Sequence, residues 1–117
     1  ERLEVPGAFE IPAAIAFAIE AGLGGTIPRA YDGFIGLGCV VRGQTTHYDY
    51  VCGESARGLQ ELAIRHSVPI GYGILTVETR DQAIQRARRS GEDRGGHAAR
   101  TCLQMLHLKK YFGLGGK

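Results

Sequence analysis

The sequence predicts an α/β fold, a three-layer αβα sandwich with a parallel sheet in the middle. Continuous apolar runs rich in β-branched residues alternate with segments in which apolar residues recur every three or four positions. This alternation is typical of a parallel sheet with helices on both faces, because consecutive parallel strands need a crossover between them. A chain of 117 residues fits one such domain, so we expect a single domain over residues 1–117.

The first third of the chain is predicted to hold a strand, a helix and a second strand. A short strand over residues 2–5 ends where Pro6 and Gly7 interrupt it. A helix follows over residues 13–21, since Pro12 is tolerated in a first turn. This helix is apolar nearly all round, which indicates burial on more than one side and a contact between subunits. The apolar run Phe34–Val41 predicts a strand covered on both faces.

The rest of the chain is predicted to hold one strand and three helices. In order they are a helix over residues 49–66, a strand over 69–75, a helix from 80 to about 91 and a helix over 96–112. Thr79 and Gln82 have the spacing of a capping box at the start of the third helix. Gly113 is suited to end the last helix, and residues 113–117 are expected to fray. Three strands are few for four helices, so we expect a further strand to belong before Glu1.

Composition excludes several classes of protein. The net charge is +2, with 14 basic and 12 acidic residues, which is too weak a bias to indicate nucleic acid or a membrane surface. The three cysteines, Cys39, Cys52 and Cys102, lack the spacing of a zinc site or disulfide framework. Cys39 and Cys102 lie in apolar patterns and are expected to be core residues. With no signal peptide or membrane span in the sequence, we expect a cytoplasmic protein.

The richest candidate site follows the strand Phe34–Val41. Ligands of open α/β sheets bind at the carboxyl ends of the strands, where this chain has a glycine, two threonines and a histidine before a helix. Backbone N–H groups and the hydroxyls of Thr45 and Thr46 favour an anion there. His47 is placed to transfer protons. The alternative is that a threonine only caps the helix and His47 is a surface residue.

Two further groups of residues are weaker candidates. The arginines around the turn between the last two helices are suited to phosphate oxygens, although the pattern alone favours a solvated charged turn; they are Arg86, Arg88, Arg89 and Arg94. Phe9 and Tyr72 lie near strand ends and have the shape to stack on a planar ligand, whereas core packing is the alternative. Glu10 either binds hydroxyl groups or serves as a first-turn charge of a helix.

Four motifs resemble lumazine synthase in the same order along the chain. They are VPGAFEIP, LGCVVRGQTTHYDY, ESARGL and PIGYGILT, and they begin at Val5, Leu37, Glu54 and Pro69. The resemblance covers residues 5–112. It implies a flavodoxin-like αβα sandwich and riboflavin biosynthesis: the transferase condenses 5-amino-6-(D-ribitylamino)uracil with 3,4-dihydroxy-2-butanone 4-phosphate to 6,7-dimethyl-8-ribityllumazine, phosphate and water. It also implies that no metal or organic cofactor is used.

The resemblance also implies an assembly and a set of site residues. Subunits of the family form homopentamers or pentamer-based shells, with active sites between neighbours. His47 matches the proton-transfer histidine, Gln44 and Thr45 the phosphate-binding loop, and Arg86 the arginine that reaches the phosphate of the adjacent subunit. The remaining positions match contacts to the pyrimidine ring or the ribityl chain: Ala8, Phe9, Glu10, Val40, Val41, Tyr72 and Arg94.

The sequence departs from the family pattern at several of these places. Gln44 and Thr46 replace a usual alanine and proline, which a backbone contact to phosphate tolerates. Arg94 replaces lysine, Ser90 stands at a position that is often basic, and His97 at one that is often glutamate. The first strand and first helix of the family have no counterpart, so an alternative function is a catalytically silent pterin or flavin binder, or a structural shell subunit, of the same fold.

Overall fold

A computed structural model describes residues 1–114, and its helices and strands alternate as the sequence predicts. A single turn of 3-10 helix, Ala8–Glu10, leads directly into the first helix. The elements are α1 (Ile11–Leu23), β1 (Phe34–Val41), α2 (His47–His66), β2 (Ile70–Val77), α3 (Arg80–Ala87) and α4 (Arg94–Tyr111). The three-layer αβα class is therefore confirmed.

The strand predicted over residues 2–5 is not formed. Within residues 1–114 the sheet consists of β1 and β2, which run parallel, and residues 2–5 pair with neither strand. A strand is stabilised by a neighbouring strand whose backbone groups pair with its own N–H and C=O groups, and residues 2–5 have no such neighbour within the described chain. The prediction was wrong for the described chain, and the sheet has two strands where three were expected.

The main apolar core lies between the sheet and the pair α1 and α2. Ile11, Ile15, Leu59 and Ile74 form its buried centre. Gly36 and Gly38 of β1 face the same side, and a Cβ on Gly36 would stand 3.1 Å from the Ile11 side chain. The glycines therefore allow α1 and α2 to pack closely on β1, because no β-carbon separates helix from strand.

Helix α4 covers the opposite face of β2 at very short range. A Cβ added to Gly71 would stand 2.1 Å from the carbonyl oxygen of Ala98. Cys102 is buried beside it, as the sequence predicts, and its thiol lies 3.8 Å from the carbonyl oxygen of Pro69. Burial raises the pKa of this thiol because the thiolate would lose its hydration.

One face of β1 is left uncovered in the described chain. Ile35, Leu37, Cys39 and Val41 point away from α1 and α2 and are exposed, Leu37 at 57%. The expectations that β1 is covered on both faces and that Cys39 is a core residue were therefore wrong, since α4 packs mainly over β2 and touches β1 too little to bury these side chains. Met105 and Leu108 of α4 are likewise about half exposed.

The helix ends follow local chemistry. The hydroxyl of Thr79 accepts a hydrogen bond from the N–H of Gln82 at 3.2 Å, as predicted for the start of α3. Gly113 adopts a positive φ of 77° and ends α4, with its N–H donating to Lys110. The predicted frayed tail lies outside the described residues from position 115 onward.

No helix within residues 1–114 has the length and apolar character to cross a membrane.

Candidate active site at the carboxyl edge of the sheet

The two strands end level with each other. Val40 pairs with Thr76 and Val41 pairs with Val77 in the parallel register. The N–H of Arg42 then donates to the carbonyl oxygen of Val77 at 2.9 Å, which continues the ladder by one bond. The loops after β1 and β2 therefore start side by side, which brings the predicted site segments to one edge of the sheet.

His47 is the first residue of α2 and its side chain is exposed. Its backbone N–H donates to the hydroxyl oxygen of Thr45 at 3.2 Å. Thr46 stands at the N-cap position without a side-chain capping bond, so Thr45 closes this helix start instead. The alternative prediction was that a threonine caps the helix and that His47 lies at the surface, and the structure has both features. The Thr45 hydroxyl oxygen accepts the hydrogen bond from His47, so its proton can still be donated to a second partner.

Arg42 connects the two loops and was not among the predicted site residues. Its Nε donates to a carboxylate oxygen of Glu78 at 3.1 Å, and its Nη2 lies 3.8 Å from Asp49 in the first turn of α2. The guanidinium also lies over the ring of Tyr48, 4.4 Å from its centroid. Glu78 raises the pKa of the Arg42 guanidinium above its usual value through this hydrogen bond and its charge. Arg42 therefore links the start of α2 to the end of β2.

Arg86 and Arg94 come together across the turn between α3 and α4. The Nη1 of Arg86 donates to the carbonyl oxygen of Thr76 at 3.2 Å, which anchors the side chain at the end of β2. The carboxylate of Glu92 lies between the two arginines, 3.0 Å from Nε of Arg94 and 3.9 Å from Nε of Arg86. The predicted basic group is thus partly neutralised within the chain.

The segment before α1 lies against β1. Ala8 is partly buried in the main core, and a Cβ on Gly38 would stand 3.5 Å from its methyl group. Phe9 is 50% exposed and Glu10 is exposed, so both side chains are open to a ligand. Val40 is partly buried against the core, whereas Val41, its neighbour in the strand, faces the other side of the sheet and is exposed.

Tyr72 lies towards the other end of β2. It pairs with Gly36, and four residues lie between it and Val77 at the carboxyl edge. Burial raises the pKa of the Tyr72 phenol, and the hydroxyl of Ser55 on α2 partly offsets this effect. Within one chain, Tyr72 therefore lies beside α2 and away from Arg86 and Arg94.

The single chain leaves the site open. Gln44, Thr45 and His47 are all exposed, and Arg88 and Arg89 also face away from the core. Arg88 donates to the side chain of Gln85 at 3.2 Å. A cleft of about 460 Å³ lies elsewhere, between the carboxyl ends of α2 and α4, and involves none of the predicted site residues within residues 1–114.

Sequence reasoning missed three charged residues of this edge. Arg42 directly follows β1 and Glu78 directly follows β2, and parallel strands that end level place such residues opposite each other. The predicted end of β1 marked the position of Arg42, whereas the strand predicted over residues 69–75 ended two residues before Val77 and did not mark Glu78. Glu92 carried no comparable signal, because its position between Arg86 and Arg94 depends on how α3 and α4 meet.

The architecture and this polar edge are those of a flavodoxin-like α/β protein. The sequence model of the family described as 6,7-dimethyl-8-ribityllumazine synthase matches residues 1–110. This chain belongs to that family.

Individual relatives agree over most of the chain. The 6,7-dimethyl-8-ribityllumazine synthase of Agrobacterium fabrum is 55% identical over 112 residues, which cover 95% of this chain and 74% of that protein. The 6,7-dimethyl-8-ribityllumazine synthase 1 of Rhizobium meliloti is 54% identical over 93% of this chain and 70% of its own length. The synthase of Methylorubrum extorquens is 53% identical over 91% of this chain and 60% of its own. The matches thus span 60 to 74% of these three relatives.

Proposed function

We propose that this chain is a subunit of a riboflavin-biosynthesis enzyme that makes 6,7-dimethyl-8-ribityllumazine. The substrates are 5-amino-6-(D-ribitylamino)uracil and 3,4-dihydroxy-2-butanone 4-phosphate, and phosphate and water are released. The family and the names of the relatives support the reaction. The observation on this chain that carries the proposal is the exposed His47 at the start of α2, two residues after the Thr45 hydroxyl and at the carboxyl edge of the sheet.

The phosphate of the butanone substrate would bind at the start of α2. The N-terminus of a helix presents unpaired N–H groups and the positive end of the helix dipole to an anion. Thr45 has a hydroxyl proton to donate, and the backbone N–H of Gln44 precedes it in the same loop. The Arg86 guanidinium of a neighbouring subunit would supply a charge and several donors suited to phosphate oxygens.

His47 would move the protons that the condensation requires. An amine of the pyrimidine attacks the ketone and forms an imine with loss of water. Phosphate then leaves, the resulting enol tautomerises, and the second amine closes the ring with loss of a second water. Each step transfers a proton, and an exposed imidazole beside the phosphate site can accept and return it. Holding two substrates in one cleft would supply much of the acceleration, on the order of 7–11 kcal/mol.

The pyrimidine and its ribityl chain would occupy the region between the segment before α1 and the strand ends. Phe9 has an exposed ring suited to stacking, and Glu10 has a free carboxylate suited to hydroxyl groups. The further contacts would come from Ala8, Val40, Val41, Tyr72 and Arg94.

We also propose that the working form is a homo-oligomer based on pentamers, in the cytoplasm, with the site completed by a neighbouring subunit. Gln44, Thr45 and His47 of the candidate site are open to solvent in one chain. Phe17 on α1 is 70% exposed, and Leu37 and Val41 on β1 are also exposed, so the chain carries apolar surface that association would bury. Such burial matters for a domain of 117 residues, because small domains bury a modest share of their surface.

The direct test mixes the purified chain with the two substrates and follows the absorbance and fluorescence of the lumazine product. Product formed faster than in a control without protein supports the proposal. If no product is formed while the chain still binds a lumazine or a flavin in a fluorescence titration, the chain is a silent binder of the same fold and the enzymatic proposal fails.

A further inference from the structure

Glu92 lies between two arginines that are candidates for substrate binding. Its Oε1 accepts a hydrogen bond from Nε of Arg94 at 3.0 Å, and its Oε2 stands 3.9 Å from Nε of Arg86. All three side chains are partly exposed, so solvent can reach the group. One carboxylate therefore faces two guanidinium groups at a place accessible to a dissolved anion.

The backbone at Glu92 is held in place on both sides. The N–H of Glu92 donates to the carbonyl oxygen of Gln85 at 3.0 Å. The preceding turn is tight, since a Cβ on Gly91 would stand 2.1 Å from the same Gln85 oxygen. Asp93 follows with a φ of 47° and caps α4 by accepting from the N–H of Gly96 at 3.3 Å. The backbone of Glu92 thus lies between a residue in the left-handed conformation and a turn that requires glycine, while its side chain can turn away from the arginines.

Arg86 has an anchor that is independent of Glu92. Its Nη1 donates to the carbonyl oxygen of Thr76, whereas its Nε points towards Glu92 at a distance too long for a hydrogen bond. Loss of the Glu92 charge would leave this side chain oriented by Thr76. The main consequence of losing the Glu92 charge would be that the Arg86 guanidinium has less negative charge beside it.

We propose that Glu92 is an internal anion that occupies the Arg86 and Arg94 pair until a phosphate group displaces it. The carboxylate thereby weakens phosphate binding. This inference rests on the proposed function, because the phosphate is that of the butanone substrate. A phosphate carries more charge than a carboxylate and offers three acceptor oxygens, so it binds the two guanidinium groups more strongly than Glu92 does. Its net binding free energy is nevertheless reduced, because the contacts of Glu92 with the arginines must first be broken.

The test is Glu92→Gln, which keeps the size of the side chain and removes its charge. Calorimetric titration with inorganic phosphate at low ionic strength should show binding about two- to fivefold tighter than in the wild type, which is the range of an exposed ion pair. The KM for the butanone phosphate should fall by a similar factor with kcat unchanged. Glu61→Gln on α2 removes a carboxylate that also lies between two arginines, Arg57 and Arg65, and should leave both quantities as they were.

The other possible results distinguish failure of this inference from failure of the proposed function. Phosphate binding that is equal or weaker in Glu92→Gln overturns the inference and makes Glu92 a residue that positions the arginines. The inference also fails if neither protein binds phosphate. If Glu92→Gln binds phosphate more tightly but neither protein forms lumazine, the inference stands and the proposed function falls.

Discussion

The guanidinium carbon of Arg42 lies 4.4 Å from the centre of the Tyr48 ring, within the range of a cation–π contact. Tyr48 is the residue after His47, and the same guanidinium donates to Glu78 beyond the end of β2. The first turn of α2 is therefore connected to both strands by one side chain. His47 begins that turn, so the contacts of Arg42 help to set the orientation of the imidazole.

We expect Arg42→Ala to lower kcat/KM about tenfold, because misplacement of a catalytic group costs rate without removing it. Arg42→Lys should recover little of the loss, since an ammonium lacks the planar fork that contacts Glu78 and Tyr48 together. Steady-state kinetics with the two substrates measures the effect. The matched control is Arg65→Ala, which breaks an ion pair with Glu61 at the other end of α2. Equal activity of Arg42→Ala and this control would contradict a positioning role.

His47→Ala should lower kcat by about 10²- to 10⁴-fold, the usual contribution of a general acid–base group, while KM changes little. The measurement is the rate of lumazine formation at saturating substrate. His66→Ala, at the exposed carboxyl end of the same helix, serves as the control and should retain full activity. An unchanged kcat for His47→Ala would remove this histidine from the mechanism.

Arg86→Ala should raise the KM for the butanone phosphate about 10- to 100-fold with a smaller effect on kcat. The reason is that a hydrogen bond to a charged group contributes about 1.5–3 kcal/mol. Arg80→Ala, which removes an exposed arginine at the start of α3, should not change KM. A rise in KM for the pyrimidine substrate alone would show that Arg86 does not bind phosphate.

Gly71→Ala should destabilise the fold by about 1–3 kcal/mol or more, because the added methyl group would overlap the Ala98 carbonyl and push α4 away from β2. Gly53→Ala is the matched control. It lies within α2 with open space around it, and the same change there should stabilise the helix by about 0.5–1 kcal/mol. Urea denaturation of both variants gives the two free energies. Similar stability of the two variants would refute the close packing of α4 on β2.

Phe17→Glu should reduce the molar mass measured by light scattering, because Phe17 is a large exposed apolar side chain on a helix that the sequence predicts to contact another subunit. Gln104→Glu adds the same charge at an exposed position of α4 and should leave the mass unchanged. A wild type that scatters as a single chain would contradict the oligomer proposal.

Local features of the sequence predicted the elements well. The strand predicted from the apolar run at residues 34–41 coincides with β1, because Gly33 and the Arg42–Gly43 pair limit that run. Helix α3 begins at Arg80 as the Thr79 cap indicates, yet it ends at Ala87, four residues before the predicted end. The backbone of Arg88 is extended there, since the chain must turn sharply to place Gly91 against Gln85.

The part of the candidate site that lies within one short stretch of chain could also be predicted from local features of the sequence. Thr45 and His47 are two residues apart at one junction of strand and helix, so their proximity can be inferred from the chain alone. The contacts between Arg42 and Glu78 and between Arg86 and Thr76 join residues that are 36 and 10 positions apart. Periodicity and capping patterns do not specify such pairs, because they describe one element at a time.

The sequence by itself determined the order of the elements from α1 to α4, the αβα class and the position of His47 near the start of a helix, since each depends on local propensity and apolar spacing. The tertiary structure decided which face of β1 is covered, whether residues 2–5 form a strand, and which carboxylate faces each arginine. These features depend on the packing of separate elements, where burial and charge pairing at one residue are set by distant parts of the chain.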